Sequence, residues 1–416
     1  YGELAGEVVR ATRAAMAAGI RPGDRAAVWA PNSHRWIVAA LGILGAGGVV
    51  VPVNTRFKGA EAAHVLRTAG AGVLLTDRDF LGQDYARLLR DWLAESGERL
   101  PELARVVVLG GGPGGGAPGD DIPWDTVSWE QYLAGGADVP EAAARERIRR
   151  VRETDLADVL FTSGTTGRPK GAMSSHGQLL RLFDAWSDIV GLRERDRYLV
   201  VTPFFHSFGY KAGWLAALMR GATVFPMAVF DVAALLATVE RERITFLPGP
   251  PTLLQDILDF PDRGRYDLSS LRTTVTGASV VPVELVRRLR REKVFETVIT
   301  GYGLTETNGP ASISRRDDDP DTVAAFAGRA MPGTEMKVAG PDGTELARGE
   351  TGEILIRGFH VMLGYLGDPQ ATAAAIDADG WLHTGDVGVM DDRGYVRITG
   401  RLKDMFIVGG VNVHTA

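Results

Sequence analysis

Along the first 330 or so positions the apolar residues switch between two periods. Leu4, Val8, Ala11 and Ala15 share one face of a helix predicted over 2–18. A strand at 24–30 stops at Pro31-Asn32. It is followed by a helix over 33–46, a strand over 49–53, a helix over 59–69 and a strand over 73–76, then a long helix over 79–96 and a strand over 106–109. After residue 158 the alternation resumes, with strands predicted at 198–202, 222–226, 245–247, 273–276 and 295–299. The helices between them run up to Arg220, over 231–242, and onward from Pro250 and Pro282. Helix and strand in turn predict α/β layers around a largely parallel sheet. Past residue 328 the texture changes to short strands near 336–339, 352–356 and 395–399, separated by turns such as Pro341-Asp342-Gly343 and Asp391-Asp392-Arg393-Gly394. That pattern predicts a small antiparallel barrel attached to the α/β body.

Composition narrows the chemistry. The 416 residues suffice for two or three core-bearing units. A net charge of −6 gives no electrostatic reason for a nucleic-acid partner. The basic run Arg287-Arg288-Leu289-Arg290-Arg291 has acidic neighbours and reads as a solvated helix face. With no cysteine, disulfides, cysteine metal sites and thiol nucleophiles are excluded. The longest apolar stretch, 36–53, is broken by glycines and Pro52, so no transmembrane span is predicted and a cytoplasmic location is the default expectation. The seven histidines form no metal-binding pair spacing, and no Gly-x-Ser-x-Gly elbow occurs. Gly110, Gly112 and Gly115 spell a dinucleotide-like glycine pattern. No helix opens behind it, so it reads as an insertion at a loop tip.

The most informative stretch is Asp158-Val-Leu-Phe-Thr162-Ser163-Gly164-Thr165-Thr166-Gly167-Arg168-Pro169-Lys170-Gly171. An apolar strand gives way to hydroxyls and glycines with a lysine just beyond. Glycine backbone lets N–H groups close on phosphate oxygens, hydroxyls add hydrogen bonds, and lysine adds charge. The spacing is not that of the common P-loop. Further on, the strand end at Tyr302-Gly303-Leu304-Thr305-Glu306 delivers an aromatic ring, a hydroxyl and one carboxylate. Taken alone, Glu306 reads equally well as an acid at a helix N-terminus.

Residues 162–171 resemble the phosphate-binding signature of the adenylate-forming superfamily, which includes acyl-CoA synthetases, amino-acid adenylation domains and firefly luciferases. Tyr302 to Glu306 resembles its second signature, Thr384-Gly385-Asp386 its third, and Gly400-Arg401-Leu402-Lys403-Asp404 its hinge. The resemblance covers 1–413. It implies an α/β adenylation body of two subdomains with sandwiched sheets over 1–330, a small β-barrel subdomain over 331–400, and a hinge with the start of an otherwise absent C-terminal domain over 401–416.

It also implies an enzyme, an AMP-forming acid–CoA ligase that uses ATP, Mg²⁺ and CoA. Phosphate contacts would come from Thr162, Ser163, Gly164, Thr165, Thr166, Gly167 and Lys170, and AMP contacts from Gly277, Ala278, Ser279, Gly301, Tyr302, Gly303, Asp386 and Arg401. Thr305 would meet the α-phosphate, Glu306 the Mg²⁺, and Lys403 would be the pivot. Gly409 and Gly410 would border the CoA channel. His206 would sit near the reacting carboxylate, where amino-acid activators carry aspartate. Phe208, Tyr210, Val280 and Val281, with Gly303, are candidates for an acyl pocket. The run Pro203 to Trp214 is similar to actinobacterial ligases, some of which take bulky polycyclic acids such as steroid-degradation propanoates. Two alternatives remain open at this point: loading of a carrier protein, and a half-reaction enzyme that binds a ready-made acyl-adenylate. A homodimer is a further expectation of the branch.

Overall fold

The computed structural model describes residues 1–110, 124–162, 168–277, 279, 281–402, and the strands 405–408 and 411–414. Seven strands form the first sheet: β1 (Arg25–Trp29), β2 (Val49–Pro52), β3 (Val73–Thr76), β4 (Arg105–Val108), β5 (Asp125–Ser128), β6 (Leu156–Phe161) and β7 (Gly171–Ser175). Their order is β5-β4-β3-β1-β2-β6-β7, parallel except for the antiparallel β6–β7 pair. A second sheet contains β8 (Arg197–Val200) paired in parallel with β9 (Thr223–Pro226). It continues through β10 (Thr273–Gly277), β11 (Thr297–Leu304), β12 (Gly309–Ile313) and β13 (Arg329–Ala330). The predicted strand at 245–247 shrinks to Phe246, which bridges β8 on one side and β10 on the other and so joins the halves.

Side-chain alternation sorts the core into layers. Val28, Val50 and Val107 of the first sheet and Val200, Val275 and Ile299 of the second point into one shared cluster with the helices His34–Gly45 and Val190-ended His176–Val190. Ala27, Val49, Val51 and Leu74 point the other way, onto the helices Gly59–Ala69 and Tyr85–Ser96. The outer face of the second sheet packs on Val232–Glu242, Pro251–Asp259 and Val283–Arg291. Two sheets thus enclose a middle layer of helices and carry helices outside. The arginines of 287–291 that stand clear of this core pair with Asp321, Asp259, Glu292 and Glu284, as a solvated face should.

Three expectations need correction. The helix predicted over 79–96 begins only at Tyr85: Asp79, Leu81 and Gly82 take positive φ, and the Asp84 side chain caps the helix by accepting from the Arg87 N–H. The helix expected up to Arg220 is three pieces, Ser207–Gly209, a π-helical turn over Tyr210–Leu215, and Ala216–Met219. The antiparallel unit is a four-stranded meander of β14 (Thr334–Ala339), β15 (Thr351–Gly358), β16 (Leu382–Met390) and β17 (Val396–Arg401). Among the described residues β14 and β17 do not pair with each other, so its hydrogen bonding is that of an open sheet rather than a closed barrel. Its inner face, with Ile354, Ile356 and Leu382, packs on Ala311, Tyr302 and Leu304. No helix among the described residues is long and apolar enough to cross a membrane.

Candidate active site

The strand ends of both sheets and the meander converge on one cavity of about 1090 Å³. The β6–β7 hairpin supplies the first wall. Phe161 pairs with Gly171, and the Thr162 N–H donates to the Lys170 carbonyl at 2.9 Å, so the two ends of the hydroxyl-glycine run are clamped side by side at the cavity. His64 braces this hairpin, its Nε2 lying 2.9 Å from the Pro169 carbonyl. Ser163 to Gly167, Ala278, Val280, Lys403, Gly409 and Gly410 lie outside the described residues.

The end of β11 supplies the floor. Gly277 of β10 sits in register with Gly301 of β11, and a Cβ on Gly277 would lie 2.4 Å from the Gly301 carbonyl oxygen. A Cβ on Gly303 would lie 1.9 Å from the Gly309 oxygen. Only glycine permits these close backbone approaches, and Gly277, Gly301 and Gly303 all line the cavity. Beyond it a short 3-10 turn, Thr305–Thr307, presents Thr305 and Glu306 to the cavity. Tyr365 Oη donates to Glu306 Oε1 at 2.7 Å, and the Met362 N–H donates to the Glu306 carbonyl at 2.8 Å. The carboxylate and the turn beneath it are therefore held separately. Burial, and then Glu306, push the Tyr365 pKa well up, so the phenol stays a donor. Tyr365 also carries the Lys170 ammonium over its ring at 5.1 Å.

The meander closes the opposite side. Asp386 is buried and accepts from Tyr302 Oη at 2.7 Å, while Arg401 Nε lies 3.0 Å from its other oxygen. Arg401 faces Asp386 directly across β16 and β17. Gly385 turns the chain at φ 69°, its N–H donates to Glu353 Oε1 at 2.9 Å, and the other Glu353 oxygen lies 3.0 Å from His383 Nδ1. Glu353 therefore fixes the 384–386 turn from below, and nothing in its own sequence context marks it.

The third arm of the cavity is apolar, formed by Trp186, Phe208, Ala212, Val275, Pro310 and Ile313. His206 stands where this arm meets the polar one. It is open to the cavity yet enclosed by protein, and that burial lowers its pKa. Its Nδ1 accepts from the Phe208 N–H at 3.2 Å, so the neutral ring carries its proton on Nε2. Tyr210 is a correction. Phe208, in the short helical piece before the π-helical turn, and Ala212, within it, take the cavity side, leaving Tyr210 and Trp214 on the core side, stacked at 4.9 Å and packed on Trp36. Val281 packs in the outer core of the second sheet, and Ser279 is exposed off the cavity wall.

Behind the walls lies a fully buried polar cluster that spacing could not reveal. Lys211 Nζ is 3.1 Å from Asp158 Oδ1 and donates to Asn308 Oδ1 at 2.7 Å and Ser174 Oγ at 3.2 Å. Burial raises the Asp158 pKa and lowers that of Lys211, and each charge opposes the other's shift.

A polar arm with the Thr162 and Thr305 hydroxyls, Arg168, Lys170 and the Glu306 carboxylate can take a polyphosphate with its cation. The Asp386–Arg401 pair can take vicinal hydroxyls, and the apolar arm an organic acid. No cluster of three or more metal-binding side chains exists among the described residues. Glu306 keeps one oxygen free of Tyr365, which suits a cation held mostly by phosphate and water.

A family model described as AMP-binding enzyme matches residues 1–366. The chain is 50% identical over 397 residues to a 3-(7a-methyl-1,5-dioxo-octahydro-1H-inden-4-yl)propanoyl:CoA ligase of Rhodococcus jostii, covering 95% of this chain and 73% of that protein. It is 46% identical over 414 residues to the Mycobacterium tuberculosis ligase of the same name, covering 100% of this chain and 76% of that protein. An anthranilate CoA ligase solved with anthranoyl-AMP superposes with a TM-score of 0.85 at 28% identity, over 99% of this chain and 74% of that one. An N-terminal domain of a Mycobacterium tuberculosis protein, FACL13, superposes at 0.79 and 26% identity, over 96% and 92%.

Proposed function

This chain belongs to the AMP-binding enzyme family and, within it, to the acyl-CoA ligases, and from that premise we propose that it activates a bulky fused-ring alkanoic acid. The acid's carboxylate oxygen attacks the α-phosphorus of ATP, an O–P bond forms, and pyrophosphate leaves. The CoA sulfur then attacks the acyl carbon and AMP leaves. The chain forms no covalent bond to substrate; its part is orientation and charge complementarity.

In this reading Thr162 and Lys170 meet the terminal phosphates, Thr305 the α-phosphate, and Asp386 with Arg401 the ribose hydroxyls. The adenine lies on the glycine floor of 277, 301 and 303 beside Tyr302. Mg²⁺, which acyl-CoA ligases of this family use with ATP and CoA, would neutralise phosphate charge, and Glu306 would be the side chain that holds it. His206, neutral and carrying its proton on Nε2, offers a donor near the acid's carboxylate without adding charge. Lys403 as pivot and Gly409-Gly410 beside CoA belong to the same proposal. So do a cytoplasmic location, where ATP and CoA are abundant, and a homodimer, which light scattering would report as twice the chain mass.

The observation that carries the substrate class is the apolar lining of Phe208, Ala212, Val275, Pro310, Ile313 and Trp186 in a cavity of about 1090 Å³ that also holds His206. The two relatives at 50% and 46% identity are named for a fused bicyclic propanoate. Acyl transfer to CoA, rather than to a carrier protein, is also what their names favour. The test supplies full-length protein with ATP, Mg²⁺ and CoA and compares an octahydroindenedione propanoate with octanoate and with anthranilate, reading thioester by mass spectrometry. Each missing methylene costs an apolar pocket about tenfold or more, so the fused-ring acid should lead in kcat/KM by at least about a hundredfold. A preference for octanoate would sink the substrate assignment, and absence of any thioester would sink the reaction.

A further inference from the structure

Asp158, Ser174, Lys211 and Asn308 are each at most 1% exposed, and the reaction outlined above uses none of them. They come from four segments that border the site. Asp158 lies on β6, four residues before Thr162, and Ser174 on β7, four residues after Lys170. Lys211 is in the π-helical turn, next to the cavity-lining Ala212. Asn308 follows Glu306 by two residues and takes a left-handed conformation, φ 60°, which Asn tolerates better than most residues. Its Oδ1 accepts from Lys211 Nζ and from Ser174 Oγ, and its Nδ2 donates to the His360 carbonyl at 2.9 Å. Through Asn308 the Glu306 turn is thus tied to Ser174 directly and to Asp158 by way of Lys211, on the strand pair that flanks the hydroxyl-glycine run.

A buried ion pair is a poor way to fill a core. Apolar residues of the same volume usually stabilise as well or better, whereas charges with fixed hydrogen bonds specify one geometry. We propose that Lys211, oriented by Asp158, is a positioning residue that sets the Glu306 turn against the β6–β7 hairpin, so that Glu306 and the hairpin grip the same triphosphate. This rests on the reading of Glu306 as the Mg²⁺ ligand. A small displacement of a charge-neutralising group can cost about a hundredfold in rate. The lysine and aspartate touch no reacting atom; they act through Asn308.

The test uses full-length protein and three variants: Glu306→Gln, the double variant Asp158→Leu/Lys211→Met, and Asn308→Gly. The double variant removes both charges together and leaves the Ser174–Asn308 hydrogen bond in place. It should melt within a few degrees of the unaltered protein. Its pyrophosphate-release rate should nonetheless fall about tenfold or more, and the Mg²⁺ concentration for half-maximal rate should rise at least about threefold. The KM for the acid and the rate of thioester formation from preformed acyl-adenylate should stay within about twofold, because neither step needs the triphosphate grip. An unchanged Mg²⁺ dependence in the double variant, or equal losses in both half-reactions, would overturn the proposal and leave the pair as core filling. Should the double variant not fold, Asn308→Gly removes the oxygen that accepts from Lys211 while still permitting the left-handed backbone; it should show the same rise in Mg²⁺ requirement, and none would overturn the proposal. If Glu306→Gln itself leaves the Mg²⁺ dependence untouched, the assignment of Glu306 falls and this proposal with it. If Glu306→Gln shifts that dependence and the double variant does not, only the positioning role falls.

Discussion

Lys211→Met alone should destabilise the protein, and the size and pH dependence of the loss follow from where its partner sits. Asp158 and Lys211 are both 0% exposed, 3.1 Å apart. Removing the ammonium leaves a carboxylate that water cannot reach, and breaking one half of a buried pair costs about 3–5 kcal/mol. With an unfolding entropy of roughly 2.1 cal/mol/K per residue, 416 residues give about 0.9 kcal/mol/K, so the melting midpoint should drop by about 3–6 °C. Burial already raises the Asp158 pKa, and Lys211 is the chief influence holding it down. Without the lysine the folded-state pKa climbs further above the unfolded value, so the folded variant binds a proton that the unfolded chain releases. Acidification therefore favours the folded variant. Its deficit should shrink by up to about 1.4 kcal/mol per pH unit on going from pH 7.5 toward 5.5. Thermal melts of both proteins at the two pH values measure this directly. A midpoint equal to that of the unaltered protein at pH 7.5, or a deficit that does not narrow at pH 5.5, would refute the argument that a buried charge is being left unpaired.

Tyr365→Phe removes one hydrogen bond to the half-buried Glu306 carboxylate. A bond to a charged group is worth about 1.5 kcal/mol at the low end, so kcat/KM for MgATP should fall about tenfold while the melting point drops by no more than about 2 °C; initial rates against MgATP concentration check it. Asp386→Asn keeps an acceptor for Tyr302 but loses the charge that Arg401 faces. The KM for ATP should rise about tenfold while the KM for the acid stays put. His360 is buried with its Nε2 unpartnered, and desolvation lowers its pKa from 6.5 to about 4. The unfolded chain then binds a proton that the folded one refuses. Stability present above pH 6.5 should be lost progressively between 6.5 and 4, by up to about 3 kcal/mol, and denaturant titrations of His360→Gln should show that slope flattened.

Much of the α/β body was legible in the chain because its signals are local. A period near 3.6 against a period of 2 decides helix or strand within a dozen residues, and the strands at 73–76 and the helix at 59–69 lie at their predicted bounds. The runs at 162–171 and 302–306 could be singled out for a related reason: the groups proposed for phosphate and cation contact are consecutive residues there, of which 163–167 lie outside the described residues. Local periodicity was silent on partners far apart in sequence. Tyr302 meets Asp386 across 84 positions, Tyr365 meets Glu306 across 59, and Lys211 meets Asn308 across 97. No spacing rule links such pairs; the stacking of two sheets and a meander does. Facing direction was equally hidden. Tyr210 looked like a pocket residue beside Phe208, yet the π-helical turn that follows Phe208 carries Ala212 to the cavity and leaves Tyr210 in the aromatic core. The sequence determined the layers and the order of the chemical groups along the strand ends. The tertiary structure decided which of those groups face one another, because burial and pairing depend on the packed neighbours rather than on the chain that carries them.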